Sequence, residues 1–207
     1  MSTRLVFVRH GQTDFNRDRR LQGQIDIPLN NTGRRQAAQL ARSIVQDAPD
    51  VIVSSPLSRA HDTALAVAEV CDLGVTTDAA FLERGFGQWE GLRDEEIKQR
   101  WPHEHAQLRA HQPVEGLGVE DRPVVAARVA DAARALVAEH QDRTVMVVAH
   151  GAAITLGITE LLGLDTTGFQ GLGGLENCHR STLTPLWRDP EGRAMRLLSH
   201  NVTPDFT

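Results

Sequence analysis

Leu5-Val6-Phe7-Val8-Arg9-His10-Gly11 is an apolar run that stops at an arginine, a histidine and a glycine. Successive apolar residues cover both faces of a strand, as in a parallel sheet buried on both sides. The pattern returns twice. Val51-Ile52-Val53 runs into Ser54-Ser-Pro-Leu-Ser-Arg59, and Thr144-Val-Met-Val-Val-Ala149 runs into His150-Gly151. Amphipathic segments separate these runs. Asn31 to Gln46 reads as a helix with Asn31 or Thr32 as its cap and Ala37, Leu40, Ala41, Ile44 and Val45 as its apolar stripe. Ser58 to Val70 reads as a second helix, with Ala60, Ala64, Val67 and Ala68 on one face. Such alternation predicts an α/β fold around a mostly parallel sheet, with ligands at the carboxyl edge of the strands.

Outward from this frame, residues 93–121 hold Trp101, two prolines, three histidines and several charges. They read as a short helix plus loops, an excursion from the sheet. Asp121 stands where it can cap a long helix from Arg122 to His140, with Pro123 tolerated in the first turn. Ala153 to Leu162 reads as another helix, followed by a Gly-rich loop from Gly168 to Gly174. Ser181 to Leu186 and Ala194 to Leu198 read as strands. The turn Arg188-Asp-Pro-Glu-Gly192 between them predicts an antiparallel pair.

Composition narrows the function. The chain has 207 residues, 41% hydrophobic and 24% charged, which fits a single globular domain and excludes a disordered, collagen-like or coiled-coil chain. No run of about 18 apolar residues predicts a membrane span. Met1-Ser-Thr-Arg-Leu-Val-Phe-Val8 lacks the layout of a secretion signal. Two cysteines are too few for a disulfide scaffold or a zinc site, so the expectation is a reducing cytoplasm. A net charge of −5 argues against nucleic acid but leaves room for a small anionic substrate. Tyrosine is absent and aromatics are 4%, which argues against a groove that stacks bases or sugars.

The strand ends carry the chemistry. If the three strands are neighbours, Arg9, His10, Arg59 and His150 converge at one edge. Arginine forks match phosphate oxygens and stay charged. One neutral imidazole is a competent nucleophile towards phosphorus, and the second can donate to an equatorial oxygen as charge develops. Glycine after each histidine permits close approach of an ester or of neighbouring backbone. A departing alcohol also needs a proton donor. Leu82-Glu83-Arg-Gly-Phe-Gly-Gln-Trp-Glu90-Gly91 offers Glu83 or Glu90, and sequence physics does not choose between them.

Arg9-His10-Gly11-Gln12-Thr13-Asp14-Phe15-Asn16 resembles the signature of the histidine phosphatase superfamily, the phosphoglycerate mutase-like family. Four further blocks are similar in order: Leu21 to Leu29 with Gly33; Ser54 to Ala60 with Thr63-Ala64; Glu83 to Gly91; and Val148 to Gly151. The resemblance implies a three-layer α/β/α sandwich, with residues 93–121 as a lid or specificity segment. It implies His10 as the nucleophile that becomes a phosphohistidine. Arg9, Arg59 and His150 would hold the phosphoryl group, Asn16 would add a side-chain donor and Gly151 an amide. Glu83 falls at the family's proton donor. Thr13, Gln22 and Gly23 would line the entrance. No metal or cofactor is implied, and a homodimer is common in the family.

The chain departs from the family pattern at Val119-Glu120-Asp121, where Gly-Glu-Ser is frequent, and the C-terminal part matches loosely. The short segment between Glu83 and His150 predicts a more open site than that of the mutases, so a phosphatase is expected, with mutase chemistry as the alternative. Among the family's phosphatases the chain is most similar to the broad-specificity or alpha-ribazole type and to the glucosyl-3-phosphoglycerate type. The latter similarity includes Leu172-Gly-Gly-Leu-Glu-Asn177. Intact His10, Arg59, Glu83 and His150 argue against an inactive phosphate-binding or interaction module. His103-Glu104-His105 lacks further ligands at set spacing and reads as a solvated face rather than a metal site. Trp101 and Trp187 read as packing and Cys71 as a small buried hydrophobe. Cys178-His179 reads as a chance adjacency, and His61 has no role assigned by the sequence.

Overall fold

The computed structural model describes residues 3–44, 48–186, 189 and 194–204. Six strands form one sheet: β1 (Arg4–Arg9), β2 (Val51–Ser54), β3 (Val75–Thr77), β4 (Thr144–Ala149), β5 (Arg180–Pro185) and β6 (Met195–Val202). Their order is β3-β2-β4-β1-β5-β6. β1, β4, β2 and β3 pair in parallel, and β5 is antiparallel to both β1 and β6. The expected mostly parallel sheet and the antiparallel terminal pair are both present.

Side-chain alternation assigns the two faces. Leu5 and Phe7 of β1, Val53 of β2, and Val145, Val147 and Ala149 of β4 join one buried cluster. That cluster includes Val125, Ala126, Val129, Ala130, Ala133 and Val137 of α6 (Arg122–Glu139) and Ile154 and Ile158 of α7 (Gly151–Leu161). Val6, Val8, Ile52, Met146 and Val148 face the other way, onto α2 (Asn31–Ser43) and α3 (Ser58–Cys71). Helices therefore cover both faces, which is why these strands read as unbroken apolar runs.

Several boundaries differ from the sequence reading. Asn30, not Asn31 or Thr32, caps α2, accepting from the Gly33 amide at 2.9 Å. Asp121 holds the N-cap position of α6, but its side chain caps no amide. α7 begins at Gly151 rather than Ala153, directly after His150. The excursion contains two helices, α4 (Asp94–Arg100) and α5 (Pro102–Arg109), because Pro102 opens a new helix where Trp101 ends the first. β3 and the four-residue α1 (Asp14–Arg17) were not anticipated. Val45, Trp187 and the turn at 188–192 apart from Asp189 lie outside the described residues.

The excursion packs on a third cluster of Trp89, Ile97, Val114 and Val119, with Leu21, Phe86 and Trp101 against it. Trp101 lies 6.5 Å from Trp89, ring to ring, so it packs as expected. His105 bonds Asp94 Oδ1 through Nε2 at 2.8 Å and ties α5 to α4, which accounts for that histidine structurally. No described helix is long and apolar enough to cross a membrane.

Candidate active site

Strand register brings the two histidines together. Arg9 pairs with Ala149 across β1 and β4, so His10 and His150 leave adjacent strands side by side, their ring centroids 5.2 Å apart. β2 pairs with β4 on the other side, and the Ser55 amide donates to Val148 O at 2.9 Å. Arg59 enters from the first turn of α3. That helix has no cap of its own; Asp26 supplies one from afar, accepting from the Ser58 amide and hydroxyl at 2.8 and 2.7 Å. Gly11 is required by close approach. A Cβ there would stand 2.6 Å from the backbone oxygen of Gly33, in the first turn of α2.

A cavity of about 250 Å³ opens at this edge. Arg9, His10, Asn16, Gln22, Gly23, Arg59, Glu83 and Gly151 line it, joined by Arg20, Leu21, Phe86, Ala152, Gly174 and Leu175. A larger groove, lined among others by Gln12, Asn30 and Arg34, holds no histidine or cysteine. Ten residues were expected at the site, and two of them do not line the cavity. Thr13 is fully buried, because its hydroxyl donates to Gln22 Oε1 at 2.7 Å and accepts from the Asn16 amide at 3.2 Å. It orders entrance residues and is not itself one. His150 is fully buried beside His10, just behind the wall.

His10 is 2% exposed. Its Nδ1 lies 2.6 Å from Gly11 O. A carbonyl can only accept, so Nδ1 carries the proton and Nε2 keeps its lone pair. Asn177 fixes the backbone, donating to His10 O at 2.8 Å. The Gly11 amide donates to Thr63 Oγ1 at 3.0 Å. Burial, then Arg59 and Arg9, hold the His10 pKa well below its ordinary value against a smaller opposing pull from Gly11 O. Burial, then Arg59, His10, Arg9 and Arg128, do the same to His150.

Three buried nitrogens at this place have no hydrogen-bond partner. Arg9 gives Nη1 to Leu175 O, and Arg59 gives Nη1 to Ile25 O and Nη2 to Gly23 O, both at 2.8 Å. Each leaves its buried Nε without a partner, as does Nδ1 of His150. Neither guanidinium has an ion pair among the described residues. Buried donors and cations are rarely left so, because desolvation is costly. Asn16 spends Oδ1 on the Thr13 amide at 3.1 Å, which leaves its Nδ2 donor for the cavity.

The choice between the two glutamates follows from geometry. Glu90 Oε1 accepts from the Gln24 and Phe86 amides at 3.0 and 2.9 Å and binds two loops together. A Cβ on Gly23, where φ is +51°, would fall 2.0 Å from that oxygen. Glu83 faces the cavity. Its Oε1 accepts from the Arg84 and Ala153 amides at 2.8 and 2.9 Å, and Oε2 accepts from Ala152 at 3.2 Å. The carboxyl is thus seated on the positive end of α7.

Sequence reasoning missed the residues that hold these groups. Arg128 of α6 clamps the segment before Glu83, donating to Ala80 O, Leu82 O and Glu83 O at 2.7, 2.8 and 3.1 Å. Glu120 pairs with Arg128 at 2.9 Å and accepts from the Gly85 amide at 3.0 Å. Ser55 Oγ lies 2.8 Å from His150 Nε2. Each acts across a long stretch of chain; Ser55 and Glu120 sat within stretches already singled out, without these contacts being foreseen, and Arg128 did not. Cys178 is buried, its thiol pushed up to about 12 by burial. The His179 ring turns away to Asn201, so the two do not form a reactive pair. His61 Nδ1 lies 3.3 Å from Ser54 Oγ.

The neutral histidines make stability depend on pH. Unfolded, both titrate near the ordinary value of 6.5; folded, both are lower. The unfolded chain therefore takes up more protons below about pH 6.5, and stability is lost as pH falls. The slope reaches about 1.4 kcal/mol per pH unit for each histidine, and above pH 6.5 the stabilisation is complete. Urea unfolding at pH 7.5, 6.0 and 5.0 checks this, and His150→Asn is expected to flatten the trend.

The chain was compared with known proteins. The family described as histidine phosphatase superfamily (branch 1) matches residues 5–200. A glucosyl-3-phosphoglycerate phosphatase of Mycobacterium tuberculosis is 37% identical over 192 residues, covering 89% of this chain and 86% of the relative. Phosphoserine phosphatase 1 of Hydrogenobacter thermophilus is 33% identical over 171 residues, covering 82% and 81%. A solved mycobacterial glucosyl-3-phosphoglycerate phosphatase, in complex with inorganic phosphate, superposes with a TM-score of 0.85. It is 35% identical and the match covers 99% of each chain.

Proposed function

This chain belongs to the histidine phosphatase superfamily, and on that premise we propose that it hydrolyses small phosphomonoesters through a phosphohistidine at His10. The observation that carries the reading is the set of three buried nitrogens without partners, the Nε–H groups of Arg9 and Arg59 and Nδ1 of His150, around an imidazole whose Nε2 keeps its lone pair. A phosphoryl group supplies the missing acceptors and the missing negative charge together.

The reaction has two steps. His10 Nε2 attacks phosphorus in line, and the bond from phosphorus to the ester oxygen breaks. Glu83 gives its proton to the departing alkoxide; Oε2, with the single longer amide contact, is the oxygen freer to carry it. Water then attacks the phosphohistidine, the phosphorus–nitrogen bond breaks, and Glu83 takes the proton from that water. Arg9, Arg59, His150 and Asn16 hold the three phosphoryl oxygens, with the Gly151 amide beside them. Most of the acceleration comes from positioning and fixed charge, as in other phosphoryl transfers.

The cavity volume of about 250 Å³ falls below the roughly 300–1,000 Å³ of drug-sized ligand pockets. It fits a phosphoryl group with a short carbon chain, any larger moiety reaching out past Phe86. Leu21 and Phe86 belong both to this cavity and to the cluster under residues 93–121, which supports that segment as the specificity element. Similarity to the mycobacterial phosphatase makes glucosyl-3-phosphoglycerate the first candidate substrate. Two free cysteines fit a cytoplasmic enzyme, and the family resemblance adds a homodimer.

Phosphate release in excess EDTA from 3-phosphoglycerate, glucosyl-3-phosphoglycerate, phosphoserine, alpha-ribazole phosphate and a nitrophenyl ester tests the proposal. Release from at least one ester is expected, and silence across the panel would sink it.

Ser55 carries a further expectation. With its hydroxyl donating to Nε2 of His150, the imidazole proton stays on Nδ1, where a phosphoryl oxygen can accept it. Ser55→Ala removes that bias and should lower kcat/KM about tenfold, the equivalent of one net hydrogen bond. Imidazole ¹⁵N shifts of His150 would show the tautomer change beside the kinetics.

A further inference from the structure

A second cavity, of about 130 Å³, lies where Arg84, His111, Asp121, Arg122 and Thr167 meet. It shares no lining residue with the catalytic cavity. Consecutive residues serve the two: Glu83 faces the phosphoryl site, and Arg84 faces this one. Arg84 is 6% exposed. Its Nε donates to Glu120 O at 2.7 Å, and its guanidinium carbon lies 5.3 Å from the centre of the Phe86 ring. Arg122 gives Nε to Thr166 O at 2.9 Å. Neither arginine has an ion pair among the described residues. His111, half-buried and beside the Thr167 backbone, adds a buried Nδ1 that makes no close hydrogen bond, on a residue whose φ is +60°.

The charges do not balance. Two guanidiniums and an imidazole line the cavity with one carboxylate, Asp121; Glu120 and Glu83 act on Arg84 and Asp165 on Arg122 from further off, and none is within ion-pair distance of either arginine. The cavity also sits at the start of the 18-residue helix α6, whose N-cap side chain satisfies none of the first-turn amides. A buried guanidinium without a counter-ion is an expensive arrangement unless a mobile anion completes it. Burial and then the neighbouring Arg122 hold Arg84 below its ordinary pKa against smaller opposing pulls from Asp121, Glu120 and Glu83; burial, then Arg122, Arg84 and Arg109, lower His111 against the backbone of Thr167.

We propose that this cavity is a second oxyanion site, taking one small sulfate-, phosphate- or carboxylate-type ion separately from the substrate. Its volume holds one such ion and little more. Arg84 and Arg122 supply paired donors, His111 Nδ1 a third, and the Thr167 loop closes one side. Because Arg84 also gives its backbone amide to Glu83 Oε1, the occupied site lies one residue from the proposed acid–base carboxyl.

The test is calorimetric titration of sodium sulfate into the full chain saturated with orthovanadate, which competes for the catalytic cavity. One further sulfate per chain is expected. In Arg122→Gln its affinity should fall at least tenfold, with kcat for nitrophenyl phosphate in sulfate-free buffer within twofold of wild type. Arg84→Gln should lose the same event; Arg122 is the more exposed of the two, so its variant guards against loss of folding. The proposal is overturned if vanadate-saturated protein takes up no sulfate, or if Arg122→Gln binds it as wild type does. It is also overturned if Arg122→Gln raises KM for 3-phosphoglycerate and not for nitrophenyl phosphate while no sulfate binds. The cavity would then receive the substrate's own carboxylate. Failure of vanadate itself to bind would count against the phosphohistidine reading alone, since the Arg122-dependent sulfate event would still be measurable.

Discussion

His10→Ala is expected to lower kcat by about 10⁴- to 10⁶-fold, the range for removing a covalent nucleophile, while leaving phosphate affinity within a few-fold of wild type. The two readouts separate because different atoms serve them. Nε2 of His10 makes the covalent bond, whereas the free donors on Arg9, Arg59 and His150 hold the oxygens. The imidazole makes one hydrogen bond, to Gly11 O, so its loss leaves a cavity at a position fastened independently by the Asn177 amide group and by Thr63. Destabilisation of about 1–3 kcal/mol is expected and does not account for such a kinetic loss. Quenching in alkaline detergent with a radiolabelled ester should trap a base-stable, acid-labile phosphoryl label on wild type and none on the variant. Turnover within tenfold of wild type would rule out His10 as the nucleophile.

The same electrostatics suit His10 to attack in its neutral form. Arg59 and Arg9, the proposed phosphate ligands, also lower the His10 pKa, second only to burial. On the proposed mechanism, one pair of residues would both present the electrophile and keep the nucleophile unprotonated. Charge on the substrate, entering between Arg9 and Arg59, would raise the pKa of His10 and favour a proton there. Desolvation of the ring opposes that change.

Much of this was visible in the chain because the decisive residues are local. A buried strand that ends in His-Gly states its own direction and its own chemistry; two such strands, with a third that runs into Arg59, leave few arrangements. β3 was not legible: Val75–Thr77 is short and mostly exposed, without the apolar run that marks a central strand. α1 spans four residues and rests on the reciprocal Thr13–Asn16 cap rather than on periodicity. Asn30, Asn31 and Thr32 are all competent caps, and only the close packing of Gly33 against Gln12 decides which is used. At the site, Arg9, His10, Arg59, Glu83 and Gly151 come to one cavity, with His150 behind it. Thr13 does not, because its hydroxyl is spent on Gln22 and the Asn16 amide and orders the wall from behind. Arg128, Ser55 and Asn177 act through contacts between distant segments, and no local pattern announces those.

Glu83→Gln should separate the two halves of the reaction. Glutamine keeps the shape and can still accept the Arg84 and Ala153 amides through its carbonyl oxygen, so the fold at the start of α7 is preserved. It cannot give or take a proton. For an alkyl ester such as 3-phosphoglycerate, the departing alkoxide is basic and needs that proton. The first step should slow by about 10²–10⁴-fold, the usual worth of a positioned acid. Nitrophenolate leaves without one, so phosphorylation of His10 by the nitrophenyl ester should be nearly unaffected. Hydrolysis of the phosphohistidine is the same step for every ester, and it has lost its base. Rapid mixing should therefore show a burst of about one nitrophenolate per active chain, followed by slow turnover, with the phosphoenzyme accumulating. An equal loss for both esters with no burst would mean that Glu83 shapes the cavity without moving a proton. The search for the acid would then pass to a group brought in by the substrate, because Glu90, held by the Gln24 and Phe86 amides, does not reach the cavity.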